Sequence, residues 1–528
     1  MIYLKISRYS ILYHASILSL SGGALSLIGF IFRILLARFA GAEGMGVYRL
    51  ALPVSSILIS LSISGVRVAV TRFSADFSVK NDLRSVCILV RTSCAIFMAI
   101  FFAAAFPAFI FRSFIADKLL GDIRTEGALL VTLFVVFFSG FEAIFESLFL
   151  GMRKTSYTAA SNFLEQISKV FIVLGLLYLY GRPQDHALTA SLIALGGALS
   201  EIPVLIWLFS MYKKTVFPPD LMMRRPGKPA NKESMIKRVF SIAFPVSIGS
   251  ISTNLIDCAS VVLLPKRLVL SGMSPSGAVS ALGVISGMAV PLISLPAFFV
   301  GAMTSVIVPS LSQSAALSNF SDVRRKVRLS FEAVGLFALP LTFMILPLVP
   351  ALSQILYKHD MPIMLSSMIS FGVALSYYQI LSMNILHSVD LQRHGIIHFL
   401  TGQLFELFVM YFTSAIPQIN VYGYIAGGVL SSLIVIFLNV RTLKKRGLMT
   451  IKFRRAVVAP VFLSIMAFLF SRYFFMLFLD ICSSSAASIV LSVSSTGTLL
   501  LAVLPILGFH PVKYYKNLIP KSGRACTE

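Results

Sequence analysis

SNFLEQISKVFIVLGLLYLYG, residues 161–181, joins two kinds of sequence in one helix. From Val170 onward it is the apolar run of a segment that lies in lipid. Before that it carries Glu165 and Lys169, four residues apart and so on one helical face. A charge at the bilayer centre costs about 2.5–3.5 kcal/mol on insertion scales. Lys169 lies about 20 Å from the cytoplasmic end of such a helix at 1.5 Å per residue, too deep to snorkel easily to either surface. Glu before Lys at this spacing is the favourable order for an ion pair. Two readings are open: a self-neutralising structural pair, or the wall of a polar cavity inside the membrane. The depth of Lys169 favours the cavity wall.

Composition sets the solvent. Of 528 residues, 57% are hydrophobic and 12% charged, with mean hydropathy +0.88; a soluble domain is nearer a quarter charged. Long apolar runs between short polar gaps predict helices rather than a barrel. Fourteen spans follow, at about 11–37, 45–66, 86–113, 127–150, 156–180, 187–212, 238–264, 277–309, 328–356, 362–388, 395–416, 421–442, 456–478 and 484–509. The apolar stretch after Tyr13 reads as the first span, not as a cleaved secretory signal. Pro245, Pro291 and Pro296 predict kinks in the seventh and eighth. The cysteines, Cys87, Cys94, Cys258, Cys482 and Cys526, show no metal-ligand or disulfide spacing.

The net charge of +24 would suggest nucleic acid in a soluble protein. Its distribution excludes that here. With the N-terminus cytoplasmic, cytoplasmic segments hold 32 Lys and Arg, external ones hold 9, and Arg33, Arg49, Arg91 and Lys169 lie within spans. That bias orients a membrane protein with both termini inside. The polar insert KKTVFPPDLMMRRPGKPANKESMIK (213–237) reads as a cytoplasmic linker between two halves.

The halves repeat. LSEIPVLIWLFSMYKK (199–214) matches LSSLIVIFLNVRTLKK (430–445), MRKTSYTAASNFLEQISKVFIVL (152–174) matches QRHGIIHFLTGQLFELFVMYF (392–412), and LALPVSSILISLSISGVRVAV (50–70) matches MAVPLISLPAFFVGAMTSVIV (288–308). The three offsets, 231, 240 and 238, are nearly equal. The predicted organisation is a six-helix lobe over 1–212, the linker 213–237, a second lobe over 238–446, and two further spans with a basic tail over 447–528. Six is even, so the repeats are parallel, an arrangement of transporters with the substrate site between the halves.

Ionisable residues within spans mark the candidate site. Arg33, Arg49 and Lys169 are cations of helices 1, 2 and 5, in the middle or outer part of the membrane; Lys266 and Arg267 close the seventh span. Fixed cations there suit a phosphate or pyrophosphate that must cross. The acidic candidates are Glu165, Glu142, Glu146, Glu201, Asp257 and Glu406; buried carboxylates suit a coupling proton or Na⁺.

RILLARFAGAEGMGVYRLALPV (33–54), SNFLEQISKV (161–170), NLIDCASVVLLPKRL (254–268) and GMAVPLISLPAFFVGAMTSVIVPSLSQ (287–313) together resemble the polysaccharide-transport branch of the MOP superfamily. The similarity is to the stage V sporulation protein B family, and more distantly to the lipid II flippases. The resemblance implies an all-α, V-shaped, two-lobed flippase of a bacterial cell membrane. It implies alternating access and a glycan on an undecaprenyl pyrophosphate carrier, destined for peptidoglycan or another cell-wall polysaccharide. Arg33 falls on the family's basic position in the first helix, Lys169 replaces what is often Arg, and Lys266 and Arg267 fall on a Pro-basic-basic-Leu pattern. Arg49 and Arg67 depart from the family, which usually has an uncharged residue and Pro there. The implied partners are the lipid-linked oligosaccharide, the bilayer and cell-wall synthesis enzymes, with the chain as a monomer. No cofactor is implied; H⁺, Na⁺ or the membrane potential would drive transport.

Two other functions compete with this one. A multidrug/cation antiporter of the same superfamily would favour an acidic cavity. An enzyme of lipid-linked sugar assembly would need catalytic groups, yet there is no Asp-x-Asp motif, no HExxH and no long external loop. The expectation is a transporter, not an enzyme.

Overall fold

The computed structural model describes residues 11–80, 82–182, 184–216, 232–450, 454–482 and 484–506. Most of the expected linker, the basic tail and Cys526 lie outside the described residues. Within them every regular element is a helix. The chain divides into two compact units, Met1–Gly287 and Met288–Glu528.

The first unit begins with α1 (Ile11–Ile59), a π-helical turn (Ser60–Ser64) and α2 (Gly65–Val79). Then come α3 (Leu83–Ile110), the short α4 (Arg112–Phe114), α5 (Glu126–Gly151), α6 (Thr155–Tyr180), α7 (His186–Val216), α8 (Lys232–Leu270) and α9 (Pro275–Gly283). The second unit holds α10 (Val290–Ile293), α11 (Ala297–Ala316), α12 (Phe320–Ile345), α13 (Val349–Tyr357), α14 (Ile363–Ser388), α15 (Gln392–Thr413), α16 (Val421–Lys445), α17 (Ala459–Cys482) and α18 (Ser485–Ile506).

Among the described residues, thirteen helices are long and apolar enough to cross a membrane. One, Leu25–Val79, has 55 residues, about 80 Å at 1.5 Å each, more than twice a hydrocarbon core of about 30 Å. It breaks at Gly41, whose φ of 68° and ψ of 178° are not helical and belong to a region that glycine enters without steric cost. Two crossings in that one stretch account for the fourteen expected. Its second leg continues to Val79, well beyond the predicted end at 66. At the eighth span the chain breaks over Ser294–Pro296, next to Pro291 and Pro296. Pro245, by contrast, lies inside an uninterrupted α8.

The compact units divide at a different place from the repeat. Helices α8 and α9 pack on α1 and α2 and belong to the first unit. That unit is filled by an aromatic ladder in which Phe97 and Phe137 each meet Phe141 edge-on, at 5.3 and 5.2 Å between centroids. Its two ends are recognisable from polar contacts. At one end Glu43, just past the Gly41 break, binds Arg124 at 2.7 Å and His186 at 3.3 Å. At the other, Lys154 Nζ donates to Thr215 Oγ1 at 3.2 Å. The first leg of α1 and the whole of α6 therefore finish at the same end and run parallel.

The second unit is tied by buried polar groups. Lys326 donates to the Ser310 carbonyl and to Ser314 Oγ and pairs with Asp322 at 2.8 Å. Asn439, fully buried, donates to Ser382 Oγ at 2.9 Å and meets His398 Nδ1 at 2.8 Å. An apolar groove of about 670 Å³ lies among α12, α14, α16 and α17, with Phe331, Phe343, Phe371, Tyr378 and Phe468 in its walls and Arg328 among its lining residues.

Candidate functional site

Helices α5, α6 and α7 of the first unit pack against one another and against α1. The approach of α6 to α7 depends on Gly196: a Cβ there would stand 2.8 Å from Val173 Cα. Small residues let membrane helices come this close. One turn towards the Lys154 end, the same contact brings Glu201 of α7 into the electrostatic field of Lys169. Gly29 of α1 lies against Gln166 of α6, where a Cβ would be 3.8 Å from Nε2. With the two helices parallel, Arg33 stands level with Lys169 and Val170.

The charges form a ladder along these helices. Nearest the Lys154 end, Arg67 Nη2 of α2 stands 3.7 Å from Glu146 Oε2, and Ser161 Oγ donates to Glu146 Oε1 at 3.1 Å. Further in, Glu142 of α5 and Glu201 of α7 lie within each other's electrostatic field. Both are buried, 6% and 4% exposed, and Glu201 Oε2 has no hydrogen-bond partner among the described residues. Beside them Lys169 Nζ donates to Glu165 Oε1 at 2.7 Å, with both side chains just over a quarter exposed. Beyond that, the Tyr48 phenol lies within the fields of Lys169 and Arg49. Arg49 is half-buried, and its Nε has no hydrogen-bond partner among the described residues.

Several predicted residues are thus brought together: Lys169, Glu165, Glu142, Glu146 and Glu201, with Arg49 at the far edge. The others are not. Arg33 is exposed on α1. Lys266 Nζ donates to the Lys118 and Leu119 carbonyls at 3.0 and 2.7 Å, closing the π-helical turn Ile115–Leu120 just before Gly121, which is left-handed at φ 79°. Arg267 beside it is half-buried. Asp257 is exposed on α8, one turn after Asn254, whose Nδ2 donates to Ser60 Oγ at 2.6 Å in the π-helical turn of the second crossing. Such turns recur at functional sites. Glu406 belongs to the second unit, with its backbone carbonyl against Gly427 and its carboxylate near Gly428.

A second span ending at residue 66 puts Arg67 in a cytoplasmic loop. It belongs to the ladder because α2 continues twelve residues past it. Tyr48 and Ser161 carry no signal in sequence, since neutral polar residues are common in spans. Arrayed this way, the site differs from a bare cluster of cations: Lys169 and Arg67 each already face a carboxylate. A bound anion would compete with Glu165 for Lys169.

Among known families, a model described as polysaccharide biosynthesis protein matches residues 11–315. Stage V sporulation protein B of Bacillus subtilis (strain 168) is 22% identical over 461 residues, 86% of this chain and 88% of that protein. Among solved structures, lipid II flippase MurJ in an inward closed conformation aligns with a TM-score of 0.64 at 14% identity, covering 94% of this chain and all of the other. An inward-facing multidrug resistance MATE family transporter of the MOP superfamily aligns at 0.60 and 12%, covering 80% and 95%. The last two likenesses establish the fold: an all-α, multi-pass membrane transporter architecture.

Proposed function

The chain belongs to the polysaccharide biosynthesis protein family, and from that premise we propose that it is a flippase. Its substrate in this reading is an undecaprenyl-pyrophosphate-linked glycan, moved from the cytoplasmic to the outer leaflet by alternating access. The observation that carries the reading is Lys169, a cation about 20 Å along its helix, bonded to Glu165 at 2.7 Å and placed among further charges rather than against lipid. A permanent charge this deep is retained where it has work to do. A pyrophosphate offers a compact anion that can exchange with the Glu165 carboxylate on Lys169. Arg67 and Arg49 supply further donors of the kind that grip phosphate in pairs. Within the second unit, the groove of about 670 Å³ has almost wholly apolar walls, a lining suited to hydrocarbon.

A second reading is favoured by one specific feature. The ladder holds four glutamates, Glu142, Glu146, Glu165 and Glu201, and an acidic interior suits a multidrug/cation antiporter. Reconstitution separates the two. Liposomes containing the purified chain are expected to move a defined undecaprenyl-pyrophosphate glycan to the opposite leaflet and to leave a cationic dye in place. Dye movement without glycan movement would replace the flippase with the antiporter.

A further inference from the structure

RHGIIHF, residues 393–399, puts His394 and His398 four residues apart in the first two turns of α15, on one face of the helix. Their rings meet, with 6.3 Å between centres and planes inclined at 63°, and both side chains are half-buried. Histidines at this spacing can reach one metal ion from a single helix. Spacing alone does not say which ring nitrogen is free to do so. The neighbouring helices do.

A neutral imidazole carries a proton on one nitrogen and a lone pair on the other. At His398 the choice follows from a chain of hydrogen bonds across α14, α16 and α15. The chain starts at a backbone carbonyl, which can only accept. Ser382 Oγ gives its single proton to the Gln379 carbonyl at 3.0 Å. That oxygen is left to accept, so the Asn439 amide, 2.9 Å away, presents its NH₂ to it. The other end of the amide, Oδ1, then meets His398 Nδ1 at 2.8 Å. An amide oxygen only accepts, so Nδ1 holds the proton and donates it. The lone pair of His398 falls on Nε2. Ser382 and Asn439 are fully buried, which shelters the chain from water. Partners of this kind fix the tautomer and the ring orientation of metal-ligating histidines.

A fixed lone pair can take a proton or a metal ion. A proton needs one lone pair; a second imidazole on the same face is what an ion needs. A tetrahedral ion at about 2.0–2.1 Å from each nitrogen would hold the two ring centres about 5 Å apart, so the rings have only about 1 Å to close. Among the described residues no group of three or more His, Cys, Asp and Glu side chains converges. The protein therefore supplies two ligands and water the rest, an open site rather than a closed structural one. Imidazole suits zinc, copper and nickel, whereas magnesium and calcium prefer oxygen.

We propose that His394 and His398 bind one divalent transition-metal ion of the zinc class, through Nε2 of His398 and a ring nitrogen of His394, with Asn439 as the positioning residue. The ion sits where α14 returns into α15, and His398 links it to α16 and α14 through Asn439 and Ser382. The site makes no use of Lys169 and stands or falls apart from the flippase reading.

The full chain, stripped with a chelator and placed in phosphatidylcholine nanodiscs, is titrated with Zn²⁺ in a calorimeter. One ion per chain is expected to bind at this site and to raise the thermal midpoint. His394→Ala and His398→Ala are each expected to weaken that binding about tenfold or more and to remove the rise. His394→Ala leaves the buried chain of hydrogen bonds intact, so its effect is read without loss of fold; unfolding of every variant is first measured without metal. Asn439→Leu removes the acceptor and is expected to weaken binding by about ten- to a hundredfold. Asn439→Asp keeps an oxygen facing Nδ1 and is expected to restore it, a rescue that packing alone would not produce. The absence of saturable Zn²⁺ binding by the unaltered chain overturns the site, and so does binding that persists unchanged in His394→Ala. Loss of binding in both histidine variants with full affinity in Asn439→Leu overturns the positioning role of Asn439.

Discussion

At Lys169 a structural role and a functional one make different demands on the same atoms. Its ammonium donates to Glu165 at 2.7 Å, a pairing legible in the sequence because i and i+4 are neighbours on any helix. If the cation meets a phosphate, Lys169→Arg is expected to retain most transport, since the charge remains. Lys169→Gln is expected to abolish transport while the protein still inserts. The decisive variant is Lys169→Gln with Glu165→Gln, which removes both charges. It should restore abundance but not glycan movement in liposomes, and full transport in it would leave Lys169 with a structural role only. The contacts Arg67–Glu146 and Ser161–Glu146 were not legible. They join different helices, and nothing in the residues of one helix says which neighbour its polar face will meet. Lys266 shows the reverse: the sequence offers it as a substrate cation, and the structure uses it on two carbonyls. Lys266→Gln, still a donor, is expected to transport normally. Lys266→Met should lower stability by about 1 kcal/mol, the net worth of a lost hydrogen bond, read as a fall in the thermal midpoint.

Helices are the level at which the sequence spoke most clearly, and the exceptions have local causes. Hydropathy locates a span because lipid demands about 20 apolar residues. It does not locate the end of a helix that leaves the membrane and continues, so hydropathy puts Arg67 in a loop although α2 runs on to Val79. A prediction at this scale concerns Gly196. Its hydrogen faces the α6 backbone, where a Cβ would lie 2.8 Å from Val173 Cα, and backbone cannot step aside as a side-chain tip can. Gly196→Val should force α6 from α7 and cost about 1–3 kcal/mol, the usual range for overpacking. The pair Lys169–Glu165, internal to α6, should survive. Thermal unfolding in nanodiscs reads the cost. A variant that keeps wild-type stability would show that Gly196 does not set the spacing.

For the chain as a whole, orientation in the membrane is a property that the distribution of charge predicts. The structure sorts the loops of the first unit into two ends. Glu43, Arg124 and His186 meet at one, and Lys154 meets Thr215 at the other. This is the same partition made by counting alternate spans. The 32-to-9 division of Lys and Arg predicts which end faces the cytoplasm, because positive loops resist translocation during insertion. The end bearing Lys154 is the basic one. Lys228 belongs to the segment that follows α7 from that end, and Ser522 to the tail after α18; both lie outside the described residues. Single cysteines at these two positions, in a chain freed of its own cysteines, are expected to react with a membrane-impermeant maleimide only after the cells are permeabilised. Labelling of either in intact cells would invert the topology. The cationic side of the ladder would then face the opposite leaflet, and a substrate loaded from the cytoplasm would meet Arg49 before Lys169 rather than after it.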